Sequence, residues 1–200
     1  MFSEHGFTTW LVKPIELQSL ARRCPKCALK RLFFPHGLFR VNAQKKIIDI
    51  WSIYKCKICH YTWNIDIISR TNIHQLDPAL YARFLANDQD EIRHRAFDYS
   101  ALKRTHGELG PPPDFEVDGH AVTTYAGSSH LRVRIKLQYA FQVRLAAILS
   151  KKLRLTRGHL GRLLSAGAIS GISERDLNRR AKPEQTMIFD VAAVINAIES

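Results

Sequence analysis

Two short runs decide how this chain is read: Cys24-Pro25-Lys26-Cys27 and, 28 residues further on, Cys56-Lys57-Ile58-Cys59. Two residues between thiols let both sulfurs of a tight turn face one cation. Two such turns supply four ligands, which fill a tetrahedral site. The residues between the pairs alternate as strands do. Phe39 and Val41 alternate with Arg40 and Asn42, Ala43 to Lys46 is a polar turn, and Ile48, Ile50 and Trp51 to Tyr54 form the return. A hairpin brings its own ends together. Spacing and secondary structure therefore agree on an antiparallel zinc ribbon over residues 1–70, with Cys24, Cys27, Cys56 and Cys59 as the metal ligands. Four thiolates leave no open position for water, so the Zn²⁺ is expected to be structural and to contribute about 10 kcal/mol to folding. A thiol redox pair at CPKC and an iron–sulfur centre are the rival uses of the same residues.

Arg22, Arg23, Lys26, Lys30, Lys55 and Lys57 crowd these turns. Their charge balances the thiolate cluster or meets phosphate. The aromatic residues Phe33, Phe34, Phe39, Trp51, Tyr54, Tyr61 and Trp63 suit a small core better than a base-stacking platform.

Outward from the ribbon, residues 7–13 read as a strand closed by Pro14. Residues 15–23 read as a helical turn or loop, and 61–68 as a third strand. Residues 71–106 form a helical segment. Asp77-Pro78 starts one helix, and Asp88 with Glu91 has the spacing of a capping box for a second, which should end before Gly107. Residues 107–130 are a linker, with Gly110-Pro111-Pro112-Pro113-Asp114 as a break no helix crosses. Residues 131–200 form a small basic α+β domain. Leu131, Val133, Ile135 and Leu137 alternate with Arg132, Arg134, Lys136 and Gln138, a half-buried strand whose basic face suits an edge. Residues 139–153 read as a helix, Thr156 caps the next, Gly167 stops it, Ser173 with Asp176 starts a short helix, and 186–198 is an apolar close. The fold class expected is α+β.

The chain has 200 residues and a formal charge of +12. Residues 1–70 carry +8, residues 71–130 carry −4, and residues 131–200 carry +8. No run of apolar residues is long enough for a transmembrane helix, and the first residues lack a signal-peptide pattern. Four cysteines are too sparse for a secreted disulfide scaffold, so the reading is a cytoplasmic protein without a membrane partner.

The densest basic stretch runs from Arg144 to Ile169. Arg144-Leu145 leads it, Thr156-Arg157 opens its second helix, and Leu163 to Ile169 reads Leu-Leu-Ser-Ala-Gly-Ala-Ile. This stretch resembles the alpha-L RNA-binding motif first known from the fourth small-subunit ribosomal protein. The resemblance implies phosphate contacts from the basic residues around the second helix, and the candidate nucleic-acid contacts are Arg144, Lys151, Lys152, Arg154, Arg157 and Arg162. Past Ile169 the match ends, because Ser170-Gly171-Ile172-Ser173 leads into a charged helix. An ordinary helical hairpin and a DNA-binding helix-turn-helix share the same pattern. The whole chain also resembles an uncharacterised bacterial family, domain of unknown function 1062. The matching features are Trp10 to Pro14, the CxxC pairs, Phe39 to Ala43, and Tyr54-Lys55-Cys56 running to Asn64. That resemblance implies no activity.

The chain holds no Walker P-loop, GxGxxG, HExxH or GxSxG, so no catalytic residue is named. Asp90 with His94 and His106 with Glu108 are surface pairs. The expected function is nucleic-acid binding, RNA ahead of DNA, around a structural zinc. The alternatives are a zinc-ribbon regulator on duplex DNA and an RNA-modifying or thiol-redox enzyme.

Overall fold

The computed structural model describes residues 6–200. The reading of the extreme N-terminus therefore lies partly outside the described residues. Among them the chain is α+β, with ten strands in two sheets and seven α-helices. It divides into two compact units, Met1–Ile15 with Asp114–Ser200, and Glu16–Pro113. The first strand, β1 (Gly6–Pro14), belongs to the former.

The unit Glu16–Pro113 is an antiparallel sheet. Its strands are β2 (Leu20–Arg23), β3 (Lys30–Gln44), β4 (Ile47–Cys56), β5 (Thr62–Asn72) and β6 (Glu108–Leu109), in spatial order β5-β4-β3-β2-β6. The loop reading of residues 15–23 is corrected. Leu20–Arg23 pairs with both β3 and β6, and this non-local ladder overrides a segment too short to signal a strand by itself. Lys45 takes φ +58° at the turn between β3 and β4, as the polar run there requires. After β5 come a 3-10 turn and the helices α1 (Pro78–Leu85), α2 (Gln89–Ala96) and α3 (Tyr99–Leu102). Asp77 and Asp88 cap α1 and α2, accepting from the N–H groups of Ala79 at 3.0 Å and Glu91 at 2.8 Å. The expected second helix is two helices, α2 and α3, broken at Phe97-Asp98. Glu91 does not close a capping box. Its buried carboxylate is held between Arg95 at 2.6 Å and Arg83 at 3.1 Å. Phe33, Phe39 and Tyr54 are core residues, split between one cluster around the cysteines and another under α1 and α2.

The other unit adds β7 (Phe115–Asp118), a 3-10 turn, β8 (His130–Leu137), α4 (Leu145–Leu153), α5 (Arg157–Ser165), β9 (Ile169–Ser170), α6 (Glu174–Asn178), β10 (Glu184–Asp190) and α7 (Val191–Glu199). Its sheet runs β7-β1-β8-β10-β9. β1 is parallel to β8 and antiparallel to β7. Residues 6–14 therefore join this sheet and not the one that carries the cysteines. The segment 107–130, read as linker, contains β6 and β7. β8 is buried at every second residue, as its alternation predicts, but it is the central strand. Edge protection does not account for its basic face. α4 begins at Leu145, not Tyr139, because Val143 and Arg144 make bridge-type pairing with the segment 179–181 instead.

Candidate functional site

Both CxxC runs are hairpin turns. Cys24 to Leu29 joins β2 to β3, and Cys56 to Tyr61 joins β4 to β5. β3 and β4 are neighbours with Phe33 opposite Cys56, so both turns lie at the same end of the sheet. The two turns have the same hydrogen bonds. Cys24 N–H donates to Leu29 O at 2.9 Å and Cys56 N–H to Tyr61 O at 3.0 Å. Ala28 N–H donates to Cys24 O at 2.9 Å and His60 N–H to Cys56 O at 3.1 Å. The residue after each second cysteine is left-handed, Ala28 at φ +57° and His60 at φ +56°. Histidine enters that region more readily than most residues and alanine does not, so residue type marks at most the second turn.

The four sulfurs lie within 4.8 Å of one another. Cys24 and Cys59 Sγ are 3.5 Å apart, and Cys27 and Cys56 Sγ are 4.0 Å apart. A disulfide needs about 2.05 Å, and all four cysteines are free. Tetrahedral thiolates about 2.3 Å from a cation stand about 3.8 Å apart. The donor set, its spacing and the paired turns fit one metal ion. Burial raises the Cys56 thiol's pKa, but the N–H groups of Cys59 and Ile58 and the thiols of Cys59 and Cys24 outweigh it and bring it to about 7. Burial, reinforced by the neighbouring sulfurs, pushes Cys59 up to about 12. A cation held between the four sulfurs would stabilise their thiolate forms. Around them, Phe33, Tyr54, Ile65, Leu20 and Leu102 seal the centre. Three of the nearby cations have contacts of their own. Arg22 lies 4.3 Å over the Trp63 ring, Lys30 pairs with Glu108 at 2.7 Å, and Lys57 faces Phe34. Glu108 thus serves Lys30 and makes no pair with His106.

The basic helical pair forms as α4 and α5. Thr156 accepts from His159 N–H at 3.3 Å, and Gly167 at φ +73° follows the end of α5. The six candidate contacts divide in two. Lys151, though exposed, is bound to Asp114 at 2.9 Å and to the Phe115 carbonyl, and it holds the Asp114 carboxyl below the usual range. Lys152 donates to the carbonyls of Gly119 at 2.6 Å and Val117 at 3.1 Å, and its partial burial lowers its pKa. These two lysines fasten α4 to β7 and the residues after it. Arg144, Arg154, Arg157 and Arg162 are exposed. Their side chains make no ion pair among the described residues. Arg157 and Arg162 line one shallow groove with Gly158, Gly161 and Glu174. The bridge between Arg144 and Arg180 adds a further exposed arginine that the sequence reading passed over. Only that non-local backbone pairing brings it to the site.

No curated protein matches the chain, and neither does any solved structure. The family model described as protein of unknown function (DUF1062) matches residues 41–175, a span that holds Cys56, Cys59 and the helical pair but not Cys24 or Cys27. It covers more than half of the chain, and the chain belongs to that family.

Proposed function

We propose that this chain is a nucleic-acid-binding protein that prefers RNA, built around a structural Zn²⁺ in a zinc ribbon. The observation that carries the reading is the set of exposed arginines on the helical pair, Arg144, Arg154, Arg157 and Arg162, which have no acidic partner among the described residues. Guanidinium groups left free in water form bidentate contacts with phosphate at little cost. Arg157 stands in the first turn of α5, where unpaired backbone N–H groups add to the attraction for an anion. Lys151 and Lys152 already bind Asp114 and backbone carbonyls, so the reading rests on the four arginines.

Zinc suits four thiols with no open position better than magnesium or calcium, which take oxygen ligands. Its role is to hold the two turns together. The test is recovery of nucleic acid crosslinked to the protein in cells, with zinc content measured on the same preparation. The proposal expects RNA in excess over DNA and one zinc per chain. Preparations free of crosslinked nucleic acid overturn the binding claim. Less than one zinc on reduced cysteines overturns the metal claim.

A further inference from the structure

A second cleft lies within the unit Glu16–Pro113, beside the metal centre. It is lined by Arg22 from β2, by residues 63–67 and Ser69 of β5, and by Arg104, Thr105 and His106 after α3. Its volume is about 460 Å³. An inorganic anion needs far less, and the figure falls in the range of small-molecule sites, about 300–1,000 Å³. Three groups that are cationic or can become so converge here, Arg22, Arg104 and His106, against one carboxylate, Asp66. None of the three makes an ion pair among the described residues. Arg22 is held in place beforehand, with its guanidinium 4.3 Å over the Trp63 ring. Trp63 is fixed in turn by an edge contact with Phe33 at 5.6 Å and by Gly107, where an added Cβ would meet the indole at 2.8 Å. Ile65 and Ile67 add an apolar wall.

We infer that this cleft binds a phosphate monoester carried by a planar ring, that is, a nucleotide. Cations without an ion-pair partner select the phosphate, and a guanidinium already held over an indole offers its plane to a base. Arg104 and His106 are exposed and line the same cleft. Free mononucleotide and the 5′-phosphorylated end of an RNA present the same chemistry. The cleft lies in the other unit from the helical pair, so the inference does not depend on that pair's contacts.

The experiment uses the metal-replete full chain. It is titrated calorimetrically with AMP, UMP, the unphosphorylated nucleosides, and short RNAs with either a 5′-phosphate or a 5′-hydroxyl. The expectation is saturable binding of a monophosphate and at least tenfold weaker binding of its nucleoside. Arg104→Glu and His106→Ala should each weaken the monophosphate at least tenfold. Both residues are exposed, so the fold should survive, and an unchanged melting curve verifies this. A 5′-phosphate preference in the RNAs that Arg104→Glu abolishes assigns the site to an RNA end. Binding confined to mononucleotides assigns it to the free ligand. Absence of monophosphate and 5′-phosphate binding, or affinity that ignores both substitutions, overturns the inference. Arg157→Glu with Arg162→Glu should leave monophosphate affinity unchanged, which keeps this test separate from that of the helical pair.

Discussion

Lys151 and Lys152 show what a sequence discloses about a single residue and what it hides. Both stand in a run of positive charge, and nothing within several positions of them is acidic. Their partners, Asp114, Val117 and Gly119, are more than thirty residues away in the chain. The cysteine cluster was legible for the opposite reason, since a CxxC turn satisfies its geometry locally. Three predictions belong at this scale. Cys59→Ser leaves three thiols and should abolish stoichiometric metal, unfolding the sheet that carries the turns, as followed by zinc content and circular dichroism. Lys152→Ala breaks two hydrogen bonds and should cost about 1–3 kcal/mol in thermal unfolding. Arg154→Ala, at an exposed residue, should cost less than about 0.5 kcal/mol while weakening RNA binding.

Helix α5 was readable from its ends, because a cap is a local feature. Thr156 sits where its hydroxyl reaches the N–H of His159, and Gly167 supplies the positive φ that stops the chain. Thr156→Ala should therefore cost about 1 kcal/mol and lower the melting midpoint by about 2–4 °C. Asp88, the cap of α2, makes a pH prediction. Its hydrogen bond from Arg83 and the N–H of Glu91 hold its carboxyl below the ordinary range. Its stabilising contribution is therefore present above the unfolded value of about 3.9 and is lost as pH falls through the folded one. The protection of the Glu91 amide, taken relative to its intrinsic exchange rate, should fall on acidification, and Asp88→Asn should remove that pH dependence. β8 was legible from its period of two but not its position, since alternation reports which face is buried and not which strands lie alongside. β2 was missed because four residues carry too little pattern to outvote the loop reading. α4 was drawn too long because an apolar pattern does not show where backbone pairing with 179–181 begins.

For the molecule as a whole, the decisive feature is that one unit is inserted in the chain of the other. β1 leaves its sheet at Ile15, and the chain returns at Asp114 to pair antiparallel with it. The N–H of Ile15 donates to the carbonyl of Asp114 at 2.9 Å, so the two crossing points are adjacent. No local signal reports this, since the strand pairing spans about a hundred residues of chain. Replacing Glu16–Pro113 with a short Asn-Gly turn should leave a unit that melts cooperatively and ignores chelator. An unfolded product would contradict the division. The exposed arginines belong to this same unit, and on the proposed function they set how binding responds to salt. The direct test is the affinity of the full chain for a structured RNA between 50 and 200 mM salt, for wild type and for Arg157→Glu with Arg162→Glu. The account predicts that log affinity falls linearly with log salt and that the double variant is weaker, with a slope shallower by about two. Equal affinity and equal slope in the two proteins would contradict it.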